Sequence, residues 1–245
     1  MDAVKNAELY RHVNIRLAKV RENIAKAAQK AGRSEDAITL VTVTKKKPIE
    51  YLVAAYENGL RDFGENYAEE GLEKIEALKD LPDIRWHMIG HVQTKKTKIL
   101  AGNYDMVHSI DSVRIAEHLD KHCAGSNLQL PVLIEVNLGG EASKYGFQAA
   151  NMDYWPMLVE ELSGFEQFAN LRVCGLMTLP PFTTIAEDSR KYFVKIRALQ
   201  EYLAAKLPAY GWNELSMGTS MDYSIAVEEG ATMLRVGEAI LGPRL

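Results

Sequence analysis

From residue 38 onward the chain repeats one pattern: a short run rich in β-branched and apolar residues, a turn signal, then a helical stretch. Candidate strands fall at 38–44, 62–66, 85–89, 106–110, 132–137, 173–178, 214–217 and 233–236. Candidate helices fall between them at 48–58, 67–79, 92–100, 112–122, 153–163, 187–207 and 222–229. Strands that alternate with helices run parallel, because each crossover helix returns the chain to the same end of the sheet. About eight such units in roughly 200 residues suit an α/β fold of the closed (β/α)8 or TIM-barrel type. The competing architecture is an open doubly wound sheet. Its dinucleotide-binding form wants Gly-x-Gly-x-x-Gly after the first strand, and this chain has Lys45-Lys46-Lys47-Pro48 there.

Ahead of the first strand, residues 4–31 spell a long amphipathic helix. Val13, Leu17, Val20, Ile24 and Ala28 recur at helical spacing, and Gly32 ends it. The expected organisation is one domain over 1–245, with the N-terminal helix (1–32) packed on the barrel. Gly139-Gly140 and Pro180-Pro181 read as loops after strands and not as linkers.

Composition excludes several classes. The 245 residues carry a net charge of −4, which argues against a nucleic-acid partner, since duplex binders show a basic excess. There is no apolar run of about 18 residues to span a membrane, and the charged first thirty residues do not read as a secretory signal. Cys123 and Cys174 are far apart and not metal-spaced. So small a cysteine count points to a reducing compartment, and a cytoplasmic location is expected. No His, Cys, Asp or Glu grouping has metal spacing, so no metal is expected.

In this barrel, chemistry sits at the C-terminal ends of the strands. The loops after strands seven and eight hold Ser216-Met217-Gly218-Thr219-Ser220 and Arg235-Val236-Gly237. Hydroxyls, and glycine backbone that an anion can approach closely, suit a phosphate. A helix starting near Asp222 would turn its positive end toward the anion. Strand one ends in Lys45. A lysine there can form an imine with an aldehyde if burial or cationic neighbours lower its pKa. Strand parity leaves the choice open, because Lys45 and Lys47 share one phase and Lys46 has the other. A solvated basic loop that merely attracts phosphate is the plainer alternative.

His12, His118 and His122 read as solvated helix residues, and His108 as a satisfied interior group. His87, on strand three, is the best functional histidine. Ser143 and Lys144 mark a turn. Trp86 and Trp155 read as packing, and Tyr192, Ile196, Leu199 and Leu203 as a core stripe.

Eight segments appear in one order: VTVTKKKP (41–48), FGENYAEE (63–70), WHMIGHVQTKK (86–96), VHSID (107–111), Ser143-Lys144-Tyr145-Gly146, GLMTLPP (175–181), LSMGTSMD (215–222) and LRVGEAILGPR (234–244). On these segments the chain closely resembles the pyridoxal 5′-phosphate (PLP) homeostasis proteins of the YggS/PROSC type, which are similar in fold to the N-terminal barrel of alanine racemase. The resemblance implies that PLP is the cofactor and that Lys45 is the Schiff-base lysine. It implies that Asn66 lines the pocket and that Ser216 and Thr219, with the backbone of Gly218 and Gly237 and the turn through Met217, hold the phosphate. Arg235 would face the pyridine nitrogen, with Met177 and His87 near the ring or the pocket floor.

An arginine is always protonated, so it would keep that nitrogen unprotonated and the ring a weak electron sink. Racemisation needs an acid–base group on each face of the substrate. Alanine racemase brings one through a second, β-rich domain that this chain, ending at Leu245, is expected to lack; Tyr67 could substitute. The expected function is therefore a PLP carrier or regulator of vitamin B6 balance, monomeric, with PLP-dependent apoenzymes as recipients. The alternatives are a PLP-dependent amino-acid racemase or lyase, and a barrel that binds a phosphorylated metabolite without PLP. Three positions depart from the family pattern: Glu238 where threonine or serine is common, Lys95 for asparagine, and Thr219 for methionine. A carboxylate at 238 would repel phosphate.

Overall fold

The computed structural model describes residues 2–125, 129–141 and 143–243. Arg244, which ends the LRVGEAILGPR segment, and Leu245 lie outside them. The strands are β1 (Thr39–Val43), β2 (Asp62–Glu65), β3 (Arg85–Met88), β4 (Met106–Ile110), β5 (Leu130–Asn137), β6 (Phe147–Gln148), β7 (Leu171–Met177), β8 (Glu214–Ser216) and β9 (Met233–Val236). Every pairing is parallel. Eight strands close in the order β1-β2-β3-β4-β5-β7-β8-β9, and β9 pairs back onto β1. The expected barrel is present. The two-residue β6, which hangs on the outer end of β5, was not foreseen, because two residues carry no period.

The helices are α1 (Asp2–Lys30), α2 (Ile49–Glu57), α3 (Ala68–Ala77), α4 (Thr97–Leu100), α5 (Val113–Cys123), α6 (Trp155–Ser163), α7 (Arg190–Lys206), α8 (Tyr223–Glu228) and α9 (Glu238–Leu241). The helix expected at 92–100 is instead a 3-10 turn over Thr94–Lys96 running into the short α4. No helix among the described residues is long and apolar enough to cross a membrane.

Alternation along each strand builds two cores. On β9, Leu234 and Val236 pack outward against helices, while Met233 joins Met106, Leu133, Cys174 and Met177 in a separate inner cluster. The outer core includes the fully buried Phe63, Leu52, Leu119 and Phe193, and Ile196, Leu199 and Leu203 of the α7 stripe. Helix α1 lays Val13, Leu17, Val20, Ile24 and Ala28 against α2, α8 and α9. It thus braces the barrel outside the β9–β1 sector.

Candidate functional site

A cavity of about 290 Å³ opens at the C-terminal ends of β1, β2, β8 and β9. Lys45, Asn66, Thr219, Arg235 and Gly237 line it together with Val43, Lys47, Ile89, Leu179, Ser220, Met221, Glu238 and Gly242. Five of the ten sequence candidates therefore converge on one space. Val43 and Ile89 could have been found from strand parity, since they share the inward phase of Lys45 and His87. Leu179 and Met221 sit in loops with no such signal.

The lysine run divides by geometry. Lys46 is exposed, with φ +57, and takes a left-handed turn. Lys47 is buried, and its Nζ donates to the carbonyls of Leu241 and Pro243 at 3.1 and 2.5 Å. It secures the end of α9, as cations commonly do at helix C-termini. Lys45, half-buried, lines the cavity.

Both backbone neighbours of Lys45 are held by a buried ion cluster behind β1. Lys74 Nζ on α3 donates to the Thr44 carbonyl, to Glu65 Oε1 and to Glu70 Oε1, each at 2.7 Å. Glu70 in turn accepts the Lys46 backbone N–H, and Thr44 Oγ1 donates to Glu65. Burial pushes the Glu65 carboxyl up, against the pull of Lys74.

In the loop that leads into the lining residues Thr219 and Ser220, Gly218 adopts φ +89, and a Cβ there would strike Ala226 Cβ at 2.5 Å. Only glycine fits that turn. Asp222 Oδ1 accepts both the backbone N–H of Thr219 (2.7 Å) and its hydroxyl (3.1 Å), fixing the loop. Ser220 Oγ accepts the Ala239 N–H and joins this loop to α9.

Arg235 forms the floor and is 3% exposed. Its guanidinium donates to Ser216 Oγ at 2.5 Å and to the Thr178 carbonyl at 2.9 Å. Burial lowers its pKa to about 10, so it remains a cation at neutral pH. Below it, His108 Nδ1 lies 2.9 Å from Ser216 Oγ, and His108 Nε2 lies 3.0 Å from His87 Nδ1. His87 Nε2 lies 2.9 Å from Asp62 Oδ1. Burial, with His87 and Arg235 nearby, pushes the His108 pKa well down. Burial likewise raises the Glu135 carboxyl to about 7, with Asp111 adding to the rise and Arg235 opposing it.

The other candidates sit apart from the cavity. The hydroxyl of Ser216 joins Arg235 to His108, and Ser216 does not line the cavity. Met217 is turned into the outer core and Met177 into the inner one. His87 lies deeper still, two residues removed from Ser216 along the hydrogen-bonded chain. Tyr67 is about half exposed and does not line the cavity. Lys95 is exposed and outside the lining.

Asn66 is held in place by a close backbone approach. A Cβ on Gly90 would meet the Asn66 carbonyl oxygen at 2.3 Å and its Cα at 2.6 Å. Gly90→Ala should therefore destabilise the protein by about 1–3 kcal/mol, the usual range for overpacking, as measured by urea unfolding. An unchanged midpoint would show that this contact is soft.

Residues 15–244 match the family described as alanine racemase, N-terminal domain. The chain is 41% identical over 230 residues to the pyridoxal phosphate homeostasis protein of Aquifex aeolicus, covering 94% of this chain and 97% of that one. It is 37% identical over 230 residues to the protein of the same name from Escherichia coli, covering 93% and 95%. Among solved structures, PipY of Synechococcus elongatus with PLP bound superposes with a TM-score of 0.81 at 30% identity, covering 94% of this chain and all of that one.

Proposed function

The chain belongs to the alanine racemase N-terminal domain family and, within it, to the pyridoxal phosphate homeostasis proteins, and from that premise we propose that it carries PLP as a Schiff base on Lys45 and serves intracellular vitamin B6 balance. In this reading it works in the cytoplasm as a monomer and passes PLP to PLP-dependent apoenzymes.

The observation that carries the reading is the composition of one cavity: a lysine amine, a buried cationic floor, and a loop of hydroxyls and glycine. Asn66 supports the fit, because its buried Oδ1 has no hydrogen-bond partner, and such an atom is costly unless a ligand satisfies it. When bound, PLP supplies an aldehyde for the amine and a phosphate for the loops.

The residues divide that work. Lys45, on its clamped turn, presents the amine. Thr219, Ser220 and the backbone of Gly218 and Gly237 receive the phosphate, with Asp222 fixing the turn. Arg235 presents an N–H to the ring nitrogen and withholds the proton that would make the ring a strong electron sink. That balance favours holding the aldehyde over turning over an amino acid.

Titration with PLP, borohydride reduction and mapping of the modified peptide test the reading. A yellow protein reduced at Lys45 is expected; a protein that takes up no PLP, or is labelled at another lysine, refutes it.

Glu238 gives a second test. Its exposed carboxylate lines the cavity beside the phosphate loop. Glu238→Thr should tighten PLP binding about two- to fivefold, the scale of an exposed charge interaction. The gain should shrink at high salt through screening. Equal dissociation constants for variant and parent at low salt would remove the carboxylate from the phosphate's surroundings.

A further inference from the structure

The polar chain beneath the cavity has one consistent arrangement of protons when each imidazole carries a single one. The Asp62 carboxylate can only accept, so His87 Nε2 carries the proton that meets it. His87 Nδ1 must then accept from His108 Nε2–H. His108 Nδ1 is left to accept the Ser216 hydroxyl, whose oxygen accepts from Arg235. All four contacts measure 2.5 to 3.0 Å and point one way, from the guanidinium to the carboxylate. The chain crosses the barrel interior, from the third residue of β9 through β8, β4 and β3 to the first residue of β2.

Each link is shielded from water. Ser216 and His108 are fully buried, and His87 and Asp62 nearly so. Burial pushes the Asp62 carboxyl up, but hydrogen bonds from His87 and Arg85 outweigh it and keep it below its ordinary range. Arg85 closes the far end at 2.6 Å with a largely exposed side chain. With one proton on each imidazole, a cation and an anion thus terminate a run of hydrogen-bonded groups, an arrangement in which hydrogen bonds polarise one another and resist reorientation.

We propose that Ser216, His108, His87 and Asp62 are positioning residues for Arg235, fixing the orientation and polarity of its guanidinium at the cofactor's ring nitrogen from the opposite end of the barrel. The inference rests on the reading that Arg235 faces that nitrogen. None of the four touches the cavity; they act through the arginine.

Three measurements test it. In the protein without PLP at neutral pH, imidazole ¹⁵N shifts should show both His87 and His108 as Nε2–H tautomers. A proton on Nδ1 of either ring overturns the chain, and this result needs no variant to fold. In PLP titrations, His108→Leu should weaken binding about three- to tenfold, the loss expected when one neutral hydrogen bond behind the arginine is released, and should shift the visible band. His108→Gln, which keeps one donor and one acceptor, should recover most of both. In an Arg235→Met background, His108→Leu should add nothing, because coupled groups are not additive.

If Arg235→Met shifts the band and His108→Leu does not, the positioning role is wrong while the Arg235 reading stands. If Arg235→Met leaves band and affinity unchanged, the Arg235 reading itself fails.

Discussion

Lys45→Ala should leave a folded protein that no longer develops a visible band with PLP, however much is added. The side chain is half-buried at the cavity and outside the apolar core, so its truncation should leave the barrel folded. Any remaining PLP should be held noncovalently and lost on dialysis. The neighbours serve as controls. Lys46→Ala should keep the band, because Lys46 is exposed and offers only its backbone N–H to the clamp. Lys47→Ala should also keep the band, but lose about 1.5–3 kcal/mol of stability with the charge-assisted bonds to Leu241 and Pro243. Absorbance titration and thermal unfolding of the three variants separate these outcomes. A Lys45→Ala protein that still turns yellow would move the chemistry to another lysine.

Lys74→Met should be the most destabilising substitution considered. It removes the cation from between Glu65 and Glu70 and leaves a fully buried carboxylate. Breaking a buried pair from one side costs about 3–5 kcal/mol. The Thr44 carbonyl loses its donor at the same time, so the turn that presents Lys45 loosens and PLP binding falls in the protein that remains folded. Adding Glu65→Leu should return much of the stability, since a buried pair replaced on both sides by apolar groups is often close to neutral. It should not return the affinity, because the turn stays unclamped. Urea unfolding reads the first effect and PLP titration the second. A loss under about 1 kcal/mol would show that water reaches the cluster.

What was legible in the sequence was periodic. The β-branched runs located all eight barrel strands, and the α1 face was read residue by residue, because burial on one side leaves a 3.6-residue trace. The resemblance brought Lys45, Asn66, Thr219, Arg235 and Gly237 to one place. Ser216, Met217, Met177 and His87 do not line that cavity, since a motif gives proximity along the chain and does not say which way a side chain turns. Ser216 points inward, to a partner on β4 that is 108 residues away. The Lys74 cluster left no signal either: Glu65 ends a strand, Glu70 and Lys74 look like ordinary helix charges, and only the reach of Lys74 to Glu65 and to the Thr44 carbonyl makes them a clamp. Lys47 looked like a second candidate nucleophile because its carbonyl partners are nearly two hundred residues away.

Because β9 pairs with β1, the cavity straddles the seam where the first and last units of the barrel meet. Lys45 comes from one side of that seam, and Arg235 and Gly237 from the other. A growing polypeptide has the lysine long before it has Arg235 or Gly237. Domains fold as units during synthesis, so the complete cavity exists only once the barrel has closed. Once closed, bound PLP stabilises only the finished barrel, by an amount that grows with the logarithm of its free concentration.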